Sequence, residues 1–396
     1  MNDHKDIKTT LGSKVIGLFA SFGLVILSTK IWGATGRGYI SILLADAALI
    51  VVLANLLAGS SAMYYMKKFG QNKVFFTSLF WILISSLIGS GLLTLFQPLN
   101  FWLLGSLSFA ISFHTLVVNQ LFVNQNFSKA NIVSAFVQLL FLGGVFAFWL
   151  MKLEILWEIY FVVQIVSSVF ISLFFTTVKF EGLLSKQEIY SLFQYGWRNE
   201  LSYIFQFLSY RISYFFIYQS LSVSDLGVFG VIVIFAESIW VASRSISTVL
   251  FAKQLEEKGE REGLQRVQKF AFYSFWISLA GILIIVLLPD TLIIKLLAKE
   301  FASTKLIFCI LAPGILAIAV SNIYGHFFAA ENNQSILIKK SIVGFLVAIV
   351  LTPIFINEFG LIGATAAMSL SYLVSSAVLI VAFYKRRKNI LGKTHH

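Results

Sequence analysis

Between Leu361 and Tyr384 the chain runs LIGATAAMSLSYLVSSAVLIVAFY without a single charged residue. A segment of about 20 predominantly apolar residues is what a helix needs to cross a bilayer. Twelve such segments recur along the 396 residues, six up to Val178 and six from Tyr195 onward. The hydrophobic share is 58% and the charged share 12%, about half of what a soluble domain carries. One core could not hide that much apolar surface. The sequence therefore reads as an all-α polytopic membrane protein with about 12 transmembrane helices. The single cysteine, Cys309, excludes an intrachain disulfide. The first apolar segment is too long for a signal-peptide core, so it is expected to be the first span.

The placement of Lys and Arg predicts the sidedness. With the N-terminus taken as cytoplasmic, 22 of the 30 fall in loops and span ends on that side and 6 on the other, leaving Arg211 and Arg244 inside spans. Lys339 and Lys340 count among the 22, and Lys30 and Arg37, read as interfacial anchors, among the 6. That asymmetry favours both termini in the cytoplasm, in an inner membrane. It also accounts for the net charge of +12 through topology, and excludes nucleic acid as the reason for it.

The link KFEGLLSKQEIYSLFQ (Lys179–Gln194) divides the spans into halves. The expected organisation is an N-terminal six-helix lobe over residues 1–180, a cytoplasmic linker over 181–194, and a C-terminal six-helix lobe with a basic cytoplasmic tail over 195–396. Six spans return the chain to its starting side, so the lobes would be parallel repeats. No loop is large enough for a catalytic domain. There is no HExxH, no P-loop and no Cys/His cluster. An enzyme, a cofactor and a resident metal are not expected.

Charges within spans are costly, roughly 2.5–3.5 kcal/mol each at a helix centre, and they face a cavity or a partner. Glu237 and Arg244 share one helix face in FAESIWVASRS, two turns apart and about 10 Å along the axis. That is too far for a direct pair. Arg211 lies at a similar depth to Glu237 on the preceding span, which makes a Glu237–Arg211 pair the natural match. Such a pair either ties two helices together or lines a polar cavity. Asp46, in the outer third of the second span, is either a cation or proton site or a carboxylate solvated through the outer mouth. His114 is expected to be satisfied by a neighbouring helix. Tyr203, Tyr210 and Tyr214 share the seventh span with Arg211 and could stack on sugar rings.

Several stretches resemble the multidrug/oligosaccharidyl-lipid/polysaccharide (MOP) exporter superfamily, in its polysaccharide-transporter branch, which includes the O-antigen (Wzx-type) flippases. They are Lys30-Ile31-Trp32-Gly33 with Gly38-Tyr39, Tyr210-Arg211, Leu226-Gly227-Val228-Phe229 and Ser247-Thr248-Val249-Leu250-Phe251. In the C-terminal region they are Ile294-Lys295-Leu296-Leu297, Phe327-Phe328-Ala329-Ala330 and Phe359-Gly360-Leu361-Ile362-Gly363-Ala364-Thr365-Ala366-Ala367. Ser213, Ala252 and Lys299-Glu300-Phe301 depart from the family pattern. The resemblance implies two six-helix lobes in a V shape around a cationic cavity. It implies a polyprenyl-pyrophosphate-linked oligosaccharide as cargo, an O-antigen or other lipopolysaccharide or surface-polysaccharide unit, moved by alternating access.

Arg211 and Arg244, with Tyr210 and Tyr214, are then the candidate substrate-binding residues. Glu237 and Asp46 are the candidate ion-coupling or charge-partner residues. The partners implied are that substrate, H+ or Na+, membrane lipids and polysaccharide polymerase machinery. The alternatives are an ion-coupled multidrug or metabolite antiporter of the same superfamily, or a membrane enzyme of glycan assembly.

Overall fold

The computed structural model describes the chain apart from residues 1–2, 98, 153–155, 257–259, 332 and 393–396; side chains at 3–11, 14, 241–242, 244–256, 260–261 and 391–392 are also outside the description. Among the described residues every regular element is helical. In order they are α1 (Asp3–Ala58), α2 (Ser60–Phe69), α3 (Gln71–Thr94), α4 (Phe101–Val123), α5 (Phe127–Leu150) and α6 (Ile159–Phe175). Then follow α7 (Lys186–Ser220), α8 (Val223–Glu256), α9 (Glu260–Leu287), α10 (Asp290–Leu296), α11 (Thr304–Ala330) and α12 (Gln334–Gly392).

Two of these are pairs of arms rather than single rods. Gly33 turns α1 with φ 63° and ψ −165°, and Gly360 turns α12 with φ 57° and ψ −134°. A side chain at such angles is strained, so glycine is what lets the chain reverse in one residue. With both turns taken into account, the helices supply the twelve segments read from hydropathy. Among the described residues eight helices are long and apolar enough to cross a membrane by length and composition. The polypeptide is a multi-pass membrane protein. α6 is shorter, at 17 residues, and α7 is long but too polar to be counted. Its sequence WRNELSYIFQFLSYRISYFF explains why: polar and charged groups are threaded through what would be a span.

The chain forms two compact units that divide inside α7, after Leu201. The sequence reading placed the division at the linker before Tyr195. In the structure the second half of that linker, from Lys186, is already the start of α7. In the first unit α1 packs on α3, α4 and α5, and α6 packs on α4 and α5. Its core joins Leu43, Ile50, Leu104, Leu107 and Phe161, with a second cluster around Phe75, Phe113 and Leu116. In the second unit α11 is central, against α8, α9 and α12.

Small residues hold these helices close. Ser243 and Ser274 both donate to the Ala319 carbonyl, at 2.6 and 2.8 Å, so α8, α9 and α11 meet at one oxygen. Gly314 lets α11 approach the backbone of α12 at Ser369, whose hydroxyl accepts from the Gly314 N–H at 3.1 Å. Lipid gives no hydrophobic reward for helix association, so close packing and such hydrogen bonds carry it.

α7 and α8 each begin with a reciprocal cap. The Ser185 N–H donates to Glu188 at 2.8 Å, and the Glu188 N–H returns to the Ser185 hydroxyl. Ser222 and Asp225 repeat the arrangement at 3.2 and 3.1 Å. These satisfy donors that a helix start otherwise leaves open.

Candidate functional site: a cation and aromatic cluster in the second unit

Helical spacing on α7 puts Gln206, Tyr210 and Tyr214 on one stripe, with Arg211 beside it. Gln206 Nε2 donates to the Tyr210 hydroxyl at 2.9 Å. Arg211 Nη1 donates to the Tyr214 hydroxyl at 3.0 Å, and its guanidinium lies 5.1 Å from the centre of that ring. Its other end, Nη2, meets Glu237 Oε1 on α8 at 2.7 Å. The side chains of Arg211 and Glu237 keep 24% and 34% of their surface open. The pair is therefore half-buried.

Tyr210 leads from this pair into an aromatic group. Its ring centre is 5.5 Å from Trp240 of α8 and 5.1 Å from Tyr372 of α12, and those two are 5.4 Å apart. Trp240 and Tyr372 are fully buried. On the same ring of Tyr210 rests a second cation: Lys340 Nζ lies 5.9 Å from its centre, and Lys340 is only 7% exposed. A cation against an aromatic face is stabilised by the ring quadrupole. Two cations thus lie in this group, Arg211 paired with Glu237 and Lys340 set against the Tyr210 ring.

Of the residues singled out from sequence, Arg211, Glu237, Tyr210 and Tyr214 come together. Tyr214 is buried, edge-on to Phe229 at 5.2 Å. It offers Arg211 its hydroxyl and ring, and no open face on which a sugar could stack. Arg244 lies on α8, but its side chain is outside the described residues. Lys340 was missed. Next to Lys339 at the start of a span, it reads as a loop charge. The hint in the sequence is that it stands three residues before Val343 in an apolar run; in the structure it lies nearly two turns inside α12.

Asp46 belongs to the first unit. It is fully buried, and neither carboxylate oxygen has a hydrogen-bond partner among the described residues. Solvation through an outer mouth is therefore not what the structure provides. Arg37, expected as an interfacial anchor, is 2% exposed. The turn at Gly33 carries it inward, where Nη1 donates to Ser28 Oγ at 3.2 Å and Tyr160 pairs with it. Lys30 stays exposed. His114 Nδ1 and Ser172 Oγ of α6 lie 3.0 Å apart, as a histidine held by a neighbouring helix. Among the described residues no three His, Cys, Asp or Glu side chains gather as metal ligands would.

No protein-family model matches the chain. Among curated proteins it is similar to Lsg locus putative protein 1 of Haemophilus influenzae, 24% identical over 213 residues, 51% of this chain and 53% of that protein. The chain spans about half the length of this curated relative. Solved structures match more completely. A multidrug-resistance MATE transporter in its inward-facing conformation superposes with a TM-score of 0.75 at 14% identity, covering 96% of both chains. The lipid II flippase MurJ, inward closed, gives 0.74 at 15%, covering 95% of this chain and 87% of that one. A MOP superfamily transporter from Pyrococcus furiosus, described by the reverse polarity of its binding pocket, gives 0.63 at 15% over 96% and 94%. This polytopic membrane protein has the fold that these three solved structures share.

Proposed function

We propose that the protein is a flippase for a polyprenyl-pyrophosphate-linked oligosaccharide, an O-antigen or other surface-polysaccharide unit, which it carries across the cytoplasmic membrane by alternating access. Both termini lie in the cytoplasm in this reading. The observation that carries it is the cluster of Arg211, Lys340 and Glu237 around Tyr210. Its charge is net positive and partly open, as recognition of a pyrophosphate requires. Arg211 and Lys340 meet the pyrophosphate, joined by Arg244, and Glu237 holds Arg211 when no cargo is bound. Tyr210 positions Lys340 through its ring. Asp46, a buried carboxyl without a donor, carries the coupling ion. The fold shared with a lipid II flippase agrees with a lipid-linked cargo.

The test is glycan export in cells lacking their own flippase. Arg211→Ala and Lys340→Ala should each reduce export severely at normal protein levels, as should Arg244→Ala. Normal export by all three variants would overturn the reading. Export of cationic drugs, with no effect on glycan display, would replace it with an ion-coupled antiporter.

A further inference from the structure

The second arm of α12 carries a feature that the cargo site does not use. From Leu361 to Gly392 it is one helix, about 48 Å long at 1.5 Å per residue. The hydrocarbon core of a bilayer is about 30 Å thick, so the arm is longer than the core it crosses. Its uncharged run ends at Tyr384, and Lys385-Arg386-Arg387-Lys388 follows at once. After Glu358 the sequence contains no Asp or Glu.

The basic end of α12 is docked on its neighbours. Ile390 is buried in a cluster with Leu264 and Val267 of α9, Tyr324 and Phe327 of α11, and Phe383 of α12 itself. Arg386 meets Glu331, just past the end of α11, at 3.2 Å.

Helix geometry then sorts the remaining charges. At about 100° per residue, Leu379, Phe383 and Ile390 share the buried face. Tyr384, Lys385 and Lys388 fall on the opposite face, and all three are exposed. That outward face continues through Val381, Val374 and Leu370, each with more than a third of its surface open. Large apolar side chains left open at this depth face lipid. An apolar stripe thus runs without interruption into a tyrosine and two lysines. A phospholipid presents its groups in the same order, with acyl chains in the core and its phosphate at the surface.

α9 repeats the pattern. Phe272, Tyr273 and Trp276 are open on its outer side. Lys269 is exposed one turn before Tyr273, with Nζ 5.9 Å from the centre of that ring. The packing of Ile390 on Leu264 and Val267 puts this lysine at the same end of the second unit. Among the described residues no carboxylate meets Lys269, Lys385 or Lys388. Lysines at a membrane surface attract anionic lipid, and tyrosine favours the headgroup level.

We propose that Tyr384, Lys385 and Lys388, with Lys269, form a docking surface for an anionic phospholipid, its phosphodiester against the lysines and an acyl chain along Val381, Val374 and Leu370. The surface is independent of the cargo assigned above, and its test needs no glycan.

The full-length protein, delipidated in a neutral detergent, is mixed with equal amounts of phosphatidylglycerol and phosphatidylcholine, and the lipid it retains is counted by native mass spectrometry. A lysine at an anionic surface is worth about a fivefold preference. Wild type should therefore retain phosphatidylglycerol over phosphatidylcholine by about tenfold or more. Lys385→Gln with Lys388→Gln should lower that ratio by about fivefold, and Lys269→Gln added to them should lower it further. A control that removes the same charge from exposed positions of the first unit, Lys67→Gln with Lys179→Gln, should leave the ratio unchanged. Thermal unfolding of each variant in the neutral detergent reads loss of fold separately. Equal retention of the two lipids by wild type would overturn the proposal. So would an equal loss of preference in the control variant, which would assign the effect to overall charge. Displacement of the bound lipid by millimolar inorganic phosphate would overturn it as well, because the surface would then be one for a free anion.

Discussion

Arg211 of α7 and Glu237 of α8 meet at 2.7 Å, and the same guanidinium also reaches the Tyr214 hydroxyl at 3.0 Å. Three groups thus share one charge balance on two antiparallel helices. Polar contacts within membrane helices average about 0.6 kcal/mol, with larger values for the best-placed ones. The half-open surface of this pair lowers its worth further by solvent screening. A cycle of Arg211→Met, Glu237→Met and the double variant should therefore show a coupling of about 0.5 kcal/mol in unfolding of the purified protein. Strict additivity would mean the contact contributes nothing to the fold.

Lys340 separates stability from function because the two should move in opposite directions. Its ammonium is buried against the Tyr210 ring, 5.9 Å from the centre. Its contact is an aromatic ring and not a carboxylate, so an apolar side chain of similar length removes a desolvation cost without stranding an opposite charge. Lys340→Met should unfold at the same temperature as wild type or a higher one, and yet lose most glycan export. A variant that loses stability and export together would make Lys340 a packing residue.

The architecture was legible because hydropathy and charge are block properties. Twelve apolar segments can be counted whether or not each helix end is placed correctly. The Arg211–Glu237 contact was also legible, since opposite charges at equal depth on neighbouring spans have few other partners. Lys340 and Arg37 were not, because a charge near a span end looks the same whether it turns to the interface or inward. Only the packing of α12 on Tyr210, and the reversal at Gly33, decide that. The break at Gly59 was hidden for a similar reason. The apolar run from Tyr39 continues through it to Met66, and one glycine in an apolar stretch does not announce a broken helix.

Gly360 and Gly363 stand one turn apart and test two different demands on glycine. At Gly360 φ is 57° and nothing lies within 4 Å of an added β-carbon. At Gly363 an added β-carbon would fall 1.9 Å from the Phe355 carbonyl oxygen. Gly360→Ala should cost about 1–3 kcal/mol, from backbone strain alone. Gly363→Ala has to move backbone across the turn and should cost more. Thermal unfolding of the two variants side by side gives the order, and a smaller loss at Gly363 would mean the turn adapts freely.

The cap at the start of α7 predicts a pH dependence outside the membrane spans. Glu188 accepts from the Ser185 hydroxyl at 2.7 Å and from its N–H at 2.8 Å, with Lys73 nearby. These hydrogen bonds hold its carboxyl below the usual glutamate range, the lysine adding to the effect. A group whose folded pKa is depressed stabilises the folded state above its unfolded pKa, and that contribution is lost as pH falls through the folded value. The first turn of α7 should therefore be protected at neutral pH and fray as the solution is acidified through and below the normal glutamate range. Amide exchange at Gln187–Tyr190, corrected for the intrinsic pH dependence of exchange, reads this directly. Glu188→Gln should leave that turn less protected at neutral pH and flatten its acid response, while exchange deeper in α7 stays unchanged. An acid response of the same size in Glu188→Gln would assign the titration to another group.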